Sequence, residues 1–554
     1  MTNRAKKWIG VRFGATLFGL LLAAGLNAAP VDCTACHDQG KKLAKSAHAG
    51  LTCDTCHDGY NEATHPAGIT KPECASCHPD QAGDYALGVH GQERKRGNES
   101  APDCSMCHGS AHELVDPKSQ AFRSAVPDTC GMCHSEVADQ YRGSVHGQAV
   151  AHGITQAPVC TDCHGEHNIQ KPSNADSPVN PAHIRETCGS CHGDVRLSRQ
   201  FGMPVDRLVS FDASYHGLAA QAGSQTVANC ASCHGVHDIL ASSDPRSTIN
   251  PKNLPATCGK CHPGAGTRFA IGQVHLTPDT AAEPPLLRWV RQFYLLLIPV
   301  TIGLMLLHQG GDWVRKLIRL RGRGRLAAAA AARGAHGPGE IRMLPFERVQ
   351  HGVLALSFLA LVWTGFALKF PDQWWARPLL LMEGRYAMRS LIHRVAACVF
   401  LAVAVTHMVS LIVNRKLRAH WKEMLPNIDD PREALSNFAY NLGMGDQPPG
   451  RSSHSYVEKA EYWAVVWGAV VMAASGLMLW ANTLVMRFLP KLWLDVATSV
   501  HFYEALLATL AIVVWHFYSV IFDPDVYPLN TAFLTGRSVK KDEPRHEPRG
   551  RDIG

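Results

Sequence analysis

The sequence predicts a two-part fold: a segment of short helices and irregular loops, followed by an all-α bundle of membrane-spanning helices. Three observations carry this. Residues 31 to 280 are rich in Gly, Pro, Asp and Ser with few long apolar periodic stretches, so the polypeptide there could hardly build an ordinary core. That same stretch holds eighteen of the nineteen cysteines. Five apolar segments then follow, near 289–308, 349–369, 390–413, 460–481 and 500–522, each close to the ~20 residues needed to cross the hydrocarbon.

The N-terminus comes first. Arg4, Lys6, Lys7 and Arg12 precede an apolar stretch from about Gly14 to Leu26, and small residues Ala28 and Ala29 stand before Pro30. This is the order of a secretory signal; an uncleaved anchor is the alternative, and either one exports the cysteine-rich segment. The net charge is +7 and the arginines sit in short runs beside apolar segments. No aromatic-interleaved basic face is present, which excludes nucleic acid as a partner.

The exported segment carries nine C-x-x-C-H motifs: Cys33-Cys36-His37, Cys53-Cys56-His57, Cys74-Cys77-His78, Cys104-Cys107-His108, Cys130-Cys133-His134, Cys160-Cys163-His164, Cys188-Cys191-His192, Cys230-Cys233-His234 and Cys258-Cys261-His262. Two thiols at this spacing reach the two vinyl groups of one porphyrin, and the adjacent imidazole becomes the proximal iron ligand. A zinc knuckle needs no histidine after each second cysteine, and a disulfide framework would show irregular spacings. The expectation is nine covalent haems c, with the porphyrins as the core. Cys398, the nineteenth cysteine, lies in an apolar segment and reads as a small buried hydrophobe.

A larger repeat underlies the motifs. After the solitary first site, paired units begin at Cys53, Cys104, Cys160 and Cys230. The first motif of each pair is followed by His65, His112, His167 or His237, and the second by His90, His146, His216 or His275; the first site has His48. Nine extra histidines thus accompany nine irons, and an iron with histidine on both faces passes electrons without an open position for substrate. Which histidine serves which iron stays open. His152 and His183 fall outside the repeat and read as solvated.

Basic residues fix the topology of the second part. Arg315, Lys316, Arg319, Arg321, Arg323 and Arg325 follow the first span, and Arg415, Lys416, Arg418 and Lys422 follow the third. Both clusters are cytoplasmic if the haem c segment is periplasmic. The tail with Lys540 and Lys541 is then cytoplasmic as well, and residues 321–339 read as a flexible linker. The resulting division is a signal peptide (1–29), a periplasmic nine-haem domain (30–284), a first transmembrane helix (285–312), a basic cytoplasmic linker (313–342), a four-helix dihaem domain (343–525) and a cytoplasmic tail (526–554).

Histidines inside spans are functional candidates. His393 and His407 lie fourteen residues apart on the third span, and His501 and His516 fifteen apart on the fifth. At about 100° per residue each pair returns to roughly one helix face, ~21 to 23 Å apart along the axis. Two stacked haems b fit that separation, with His393 facing His501, and His407 and His516 nearer the cytoplasm. His308, at the end of the first span, reads as interfacial.

The paired units resemble the doubled-CxxCH multihaem cytochromes c over about residues 31 to 280, a family of electron carriers and terminal reductases. The runs R-V-Q-H-G-V-L-A-L-S-F-L-A-L-V-W-T-G-F (348–366) and I-H-R-V-A-A (392–397) resemble the cytochrome b subunits of nickel-iron hydrogenase and formate dehydrogenase, over roughly residues 343 to 525. That resemblance implies His351 with His516 as ligands of the cytoplasmic-side haem b, and His393 with His501 as ligands of the other. His407 is then a neighbour or a quinone-site residue. Spacing selects His407 and resemblance His351; both stay candidates, with the resemblance given precedence.

The whole chain looks like the inner-membrane quinol-oxidising multihaem cytochromes of respiring bacteria, including those serving metal reduction. It implies a quinol:cytochrome oxidoreductase in anaerobic respiration, with membrane quinol as substrate and a periplasmic cytochrome or other redox carrier as partner. Two alternatives are a periplasmic terminal reductase and a subunit feeding a periplasmic dehydrogenase's electrons into the quinone pool. The reductase needs a five-coordinate iron or a C-x-x-C-K attachment, and the sequence has no such attachment. The feeding subunit needs a separate catalytic partner.

Overall fold

A computed structural model describes residues 33–57, 72–269, 274–276, 283–322, 341–381, 383, 387–445 and 455–537. The expected signal peptide, His65, most of the 321–339 linker, and Lys540 and Lys541 lie outside them. The chain divides into two compact units, residues 1–129 and 130–554. Among the described residues there is no strand, only an isolated bridge between Ile341 and Arg537.

In the first unit the attachment motifs form single turns, Cys33–Ala35, Cys53–Thr55, Cys74–Ser76 and Cys104–His108. A bent helix pair, Pro79–Leu87 and Val89–Lys95, follows the third motif, and the Tyr85 hydroxyl donates to Pro102 O at 2.6 Å.

The second unit repeats this device. Helices Ser135–Gly143 and Val145–Ala151 bend at Ser144, and Arg207–Ala213 and Tyr215–Gln221 bend at Ser214. Both serines cap the following helix, accepting from Gly147 N and Gly217 N at 3.1 Å. Tyr141 repeats the clasp on Pro158 O at 2.7 Å. The bend explains the glycine after each of these histidines: a Cβ would stand 2.1 Å from Tyr85 O at Gly91, 2.1 Å from Tyr141 O at Gly147 and 2.0 Å from Phe211 O at Gly217.

Buried apolar residues between 33 and 276 are sparse and small: Ala101, Val126, Ala138, Ala157, Val159, Ile184, Ala219 and Ala222. Polar loops hold themselves instead. Ser177 and Ser247 are fully or almost fully buried at matching places of two repeats, where Asn180 and Asn250 each donate to a carbonyl eight residues back. Such a segment has room for large apolar groups that the chain does not itself supply.

The second unit continues into five long helices, α1 (Pro285–Gly322), α2 (Pro345–Lys369), α3 (Met388–Val413), α4 (Tyr456–Trp480) and α5 (Lys491–Ala511). π-helical turns carry α5 on to Phe522. All five are long and apolar enough to cross a membrane, yet only 6 to 17% of each apolar window is buried. Leu296, Leu356, Ile412 and Trp467 face outward, as expected where lipid is the solvent.

Two expectations change. Cys398 is exposed on the outer side of α3, so it faces lipid rather than a protein core; a thiol is apolar enough for either. The first span, expected to end at 312, stays helical to Gly322. There Lys316 is buried and pairs with Asp312 at 2.5 Å and Asp523 at 2.8 Å, pinning α1 to the end of the last span. The basic stretch between α3 and α4 contains helices Arg415–Trp421 and Asp429–Asn441.

Candidate functional site

Histidine rings meet in pairs. In the first unit His48 lies 6.0 Å from His78 and His57 6.0 Å from His112, measured between ring centres. In the second, His146 pairs with His192 at 6.2 Å, His164 with His237 at 6.1 Å, His216 with His262 at 6.2 Å and His234 with His275 at 6.3 Å. Each pair joins a motif histidine to an extra histidine from the segment after a different motif. His37, His108 and His134 are the other described motif histidines, with His90 and His167 the other described extra ones; His108 stacks on Phe122 at 5.4 Å.

These separations fit haem. A metal bound about 2.0–2.1 Å from each ring nitrogen, with each ring centre roughly 1.1 Å further back, sets facing imidazoles about 6.3 Å apart. Burial also disfavours the protonated form of these rings. Burial pushes the pKa of His146 down to about 4, and burial lowers those of His164, His192, His216, His234, His237, His262 and His275. Neutral imidazole is the form that binds metal.

All nineteen cysteines are free of disulfides, and among the described residues no three or more His, Cys, Asp or Glu side chains converge as a bare-metal site would require. Successive motifs lie together instead. The sulfurs of Cys74 and Cys104, Cys130 and Cys160, and Cys188 and Cys230 lie side by side, and Cys163 is near Cys191 as Cys233 is near Cys258. His152 and His183 are exposed and bond nearby carbonyls, Gln148 O of the preceding helix at 2.6 Å and Ala175 O at 2.9 Å.

Within the spans two further pairs have the same separation: His393 of α3 with His501 of α5 at 6.4 Å, and His351 of α2 with His516 beyond α5 at 6.2 Å. His407 has no histidine opposite it among the described residues. Its Nε2 lies 3.2 Å from the Tyr462 hydroxyl and its ring stands edge-on to Trp421. The Trp421 indole donates to Glu347 at 2.6 Å, and Glu347 also accepts from Leu344 N to cap α2. The extra turns around His516 are π-helical, Ile512–His516 and Tyr518–Phe522, a frequent feature of functional positions. His308 lies inside the bundle against Trp515 at 5.3 Å and bonds the Tyr456 hydroxyl.

Sequence reasoning missed the groups behind these rings. Thr364 Oγ1 donates to Ala360 O and can accept from His393 Nδ1 at 2.8 Å; Ser475 Oγ donates to Val471 O and can accept from His501 Nδ1 at 3.0 Å. Each hydroxyl residue precedes a glycine beside the imidazole: a Cβ would stand a tight 3.1 Å from His501 Cε1 at Gly476 and an ordinary 3.5 Å from His393 Cε1 at Gly365. Thr-Gly on α2 and Ser-Gly on α4 were a readable signal. His516 differs, with the Glu461 carboxylate 3.3 Å from its Nδ1.

The haem c segment of the second unit meets the bundle at the start of α5. Lys491 lies within electrostatic reach of His216 and Cys258, Arg268 donates to Phe488 O at 3.4 Å, and helix Tyr215–Gln221 packs against α2. The ninth-motif pair, His216 with His262, is therefore at the junction, on the end of the bundle that carries His393 and His501.

Taken together, the chain is a multihaem cytochrome c segment joined to a cytochrome b-type membrane domain, with haem c and haem b as its cofactors. Residues 342–532 match the family described as prokaryotic cytochrome b561. Over 193 residues, 30% of this chain, it is 28% identical to the multiheme cytochrome MtrA of Shewanella baltica, and spans 53% of that protein's length. Over 143 residues, 23% of this chain, it is 25% identical to the menaquinone reductase multiheme cytochrome c subunit of Nitratidesulfovibrio vulgaris, spanning 68% of that protein. No solved structure matches the chain.

Proposed function

We propose that this chain oxidises quinol in the bacterial inner membrane and passes the electrons outward to a periplasmic cytochrome or other redox carrier. Its histidines would hold nine haems c and two haems b. The pairs named above serve six of the former, and His393 with His501 and His351 with His516 serve the latter. His37, His108 and His134 with His65, His90 and His167 complete the set. Haem supplies one-electron transfer, and ligation on both faces leaves no iron position for substrate.

The observation that carries this reading is the common ring separation, 6.0 to 6.4 Å, in both the soluble segment and the spans. Each quinol gives up two electrons and two protons at the end of the bundle holding His351 and His516. His407 and the Tyr462 hydroxyl offer polar contacts there. The basic residues Arg415, Lys416, Arg418 and Lys422 support a cytoplasmic location for that end, by the positive-inside rule. Electrons leave the bundle at the His216 and His262 junction.

A second reading runs inward, from a periplasmic donor to quinone. The name of the menaquinone reductase relative favours it. Anaerobic mixing of the purified, haem-loaded protein with a menaquinol analogue, following b-type and c-type alpha bands separately, decides between them. Outward flow reduces the b band before the c band, and His516→Ala abolishes both. If neither band responds to quinol but both respond to a periplasmic donor, the flow is inward.

A further inference from the structure

The two membrane sites differ in what their imidazoles donate to. At the junction end, Nδ1 of His393 meets the Thr364 hydroxyl at 2.8 Å and Nδ1 of His501 meets the Ser475 hydroxyl at 3.0 Å. Both hydroxyls spend their own proton on carbonyls of their helices, so both are neutral acceptors. At the other end Nδ1 of His516 faces the Glu461 carboxylate at 3.3 Å. The second carboxylate oxygen is buried and has no hydrogen-bond partner, so His516 is its one hydrogen-bonded neighbour among the described residues.

Among the described residues, the surroundings of His393 carry no carboxylate on the imidazole itself. Arg389 is buried, donates to Thr364 O at 3.3 Å and has its charge balanced by Glu383 at 3.1 Å; Arg394 is close enough to act on His393. A carboxylate behind a ligating imidazole draws its proton, makes the nitrogen on the iron a stronger donor and so favours the oxidised metal. Neutral hydroxyls do this less, and nearby cations favour the reduced form.

We propose that Glu461, against Thr364 and Ser475, sets the His351 and His516 site at a lower reduction potential than the His393 and His501 site. Electrons entering at the low-potential end then run downhill towards the junction with the haem c segment, which is a built-in bias for outward flow. Glu461 is a positioning residue in this scheme. The inference rests on the reading that each of the two pairs holds a haem b.

Spectroelectrochemical titration of the b-type alpha band in the intact membrane protein tests it. Glu461→Gln keeps shape and removes charge; it should raise the lower of the two potentials towards the higher, while Glu461→Asp gives a smaller rise. Thr364→Val with Ser475→Ala removes acceptors from the other site, so the higher potential should rise and the gap widen. This double variant carries the test if Glu461→Gln loses haem. The proposal fails if Glu461→Gln leaves the lower potential in place, if Asp and Gln act alike, or if the double variant leaves the gap unchanged or narrows it. Haem b content of His516→Ala separates the two layers. Loss of one of two haems b with no potential shift in Glu461→Gln sinks the inference alone, whereas retention of both sinks the ligand reading beneath it.

Discussion

The haem c segment and the membrane bundle solve opposite problems with the same side chain, a facing pair of histidines. Between residues 33 and 276 the chain buries mostly alanine, valine and serine, and histidines meet only because loops from different motifs are folded together. In the bundle, long helices place His393, His501, His351 and His516 by periodicity, and most apolar side chains face outward. One region borrows its core from a cofactor; the other borrows its solvent from a bilayer. Losing haem should therefore cost the two regions very unequally.

The largest effect tests that contrast directly. In cells unable to attach haem c, the 33–276 segment should be degraded or protease-sensitive, while the membrane domain keeps its b-type absorbance and helical circular dichroism. A protease-resistant haem-free segment would break the comparison. Lys316→Ala comes next, because it leaves Asp312 and Asp523 largely buried without their cation. Breaking a buried pair costs about 3–5 kcal/mol, read as a fall in the membrane domain's thermal midpoint with haem c spectra unchanged.

Gly147→Ala sharpens the picture inside the haem c segment. Its Cβ would stand 2.1 Å from Tyr141 O, and overpacking costs about 1–3 kcal/mol. Because the bend aims His146, the expected readout is a high-spin signal from one haem. The smallest effect belongs to His407→Ala, which loses the contact with Tyr462, worth about 1 kcal/mol. It should keep both haems b, whereas His351→Ala should lose one.

Much of this was legible in the sequence, and the exceptions have physical causes. C-x-x-C-H is a local covalent signature, so candidate attachment residues are named by sequence alone. The partner of each motif histidine could not, because a loop's path depends on the porphyrins it wraps: His48 follows the first motif but meets His78 of the third. In the spans, spacing on α3 favoured His407, since periodicity reports which face a residue occupies and not what stands opposite. Only packing reveals that His351 faces His516 while His407 faces Trp421 and Tyr462. Cys398 was misread as buried for a related reason: apolar surroundings in a sequence do not distinguish lipid from protein. Glu461 gave no sequence signal because a carboxylate near the start of a span usually reads as an interfacial charge.

The most direct test of the account is a haem inventory with spin state on the intact protein. Covalently bound and acid-acetone-extractable haem would be quantified per chain, alongside low-temperature electron paramagnetic resonance of the oxidised form. The account predicts nine covalent haems and two extractable ones, all low-spin. A high-spin iron, or a single extractable haem, would contradict it.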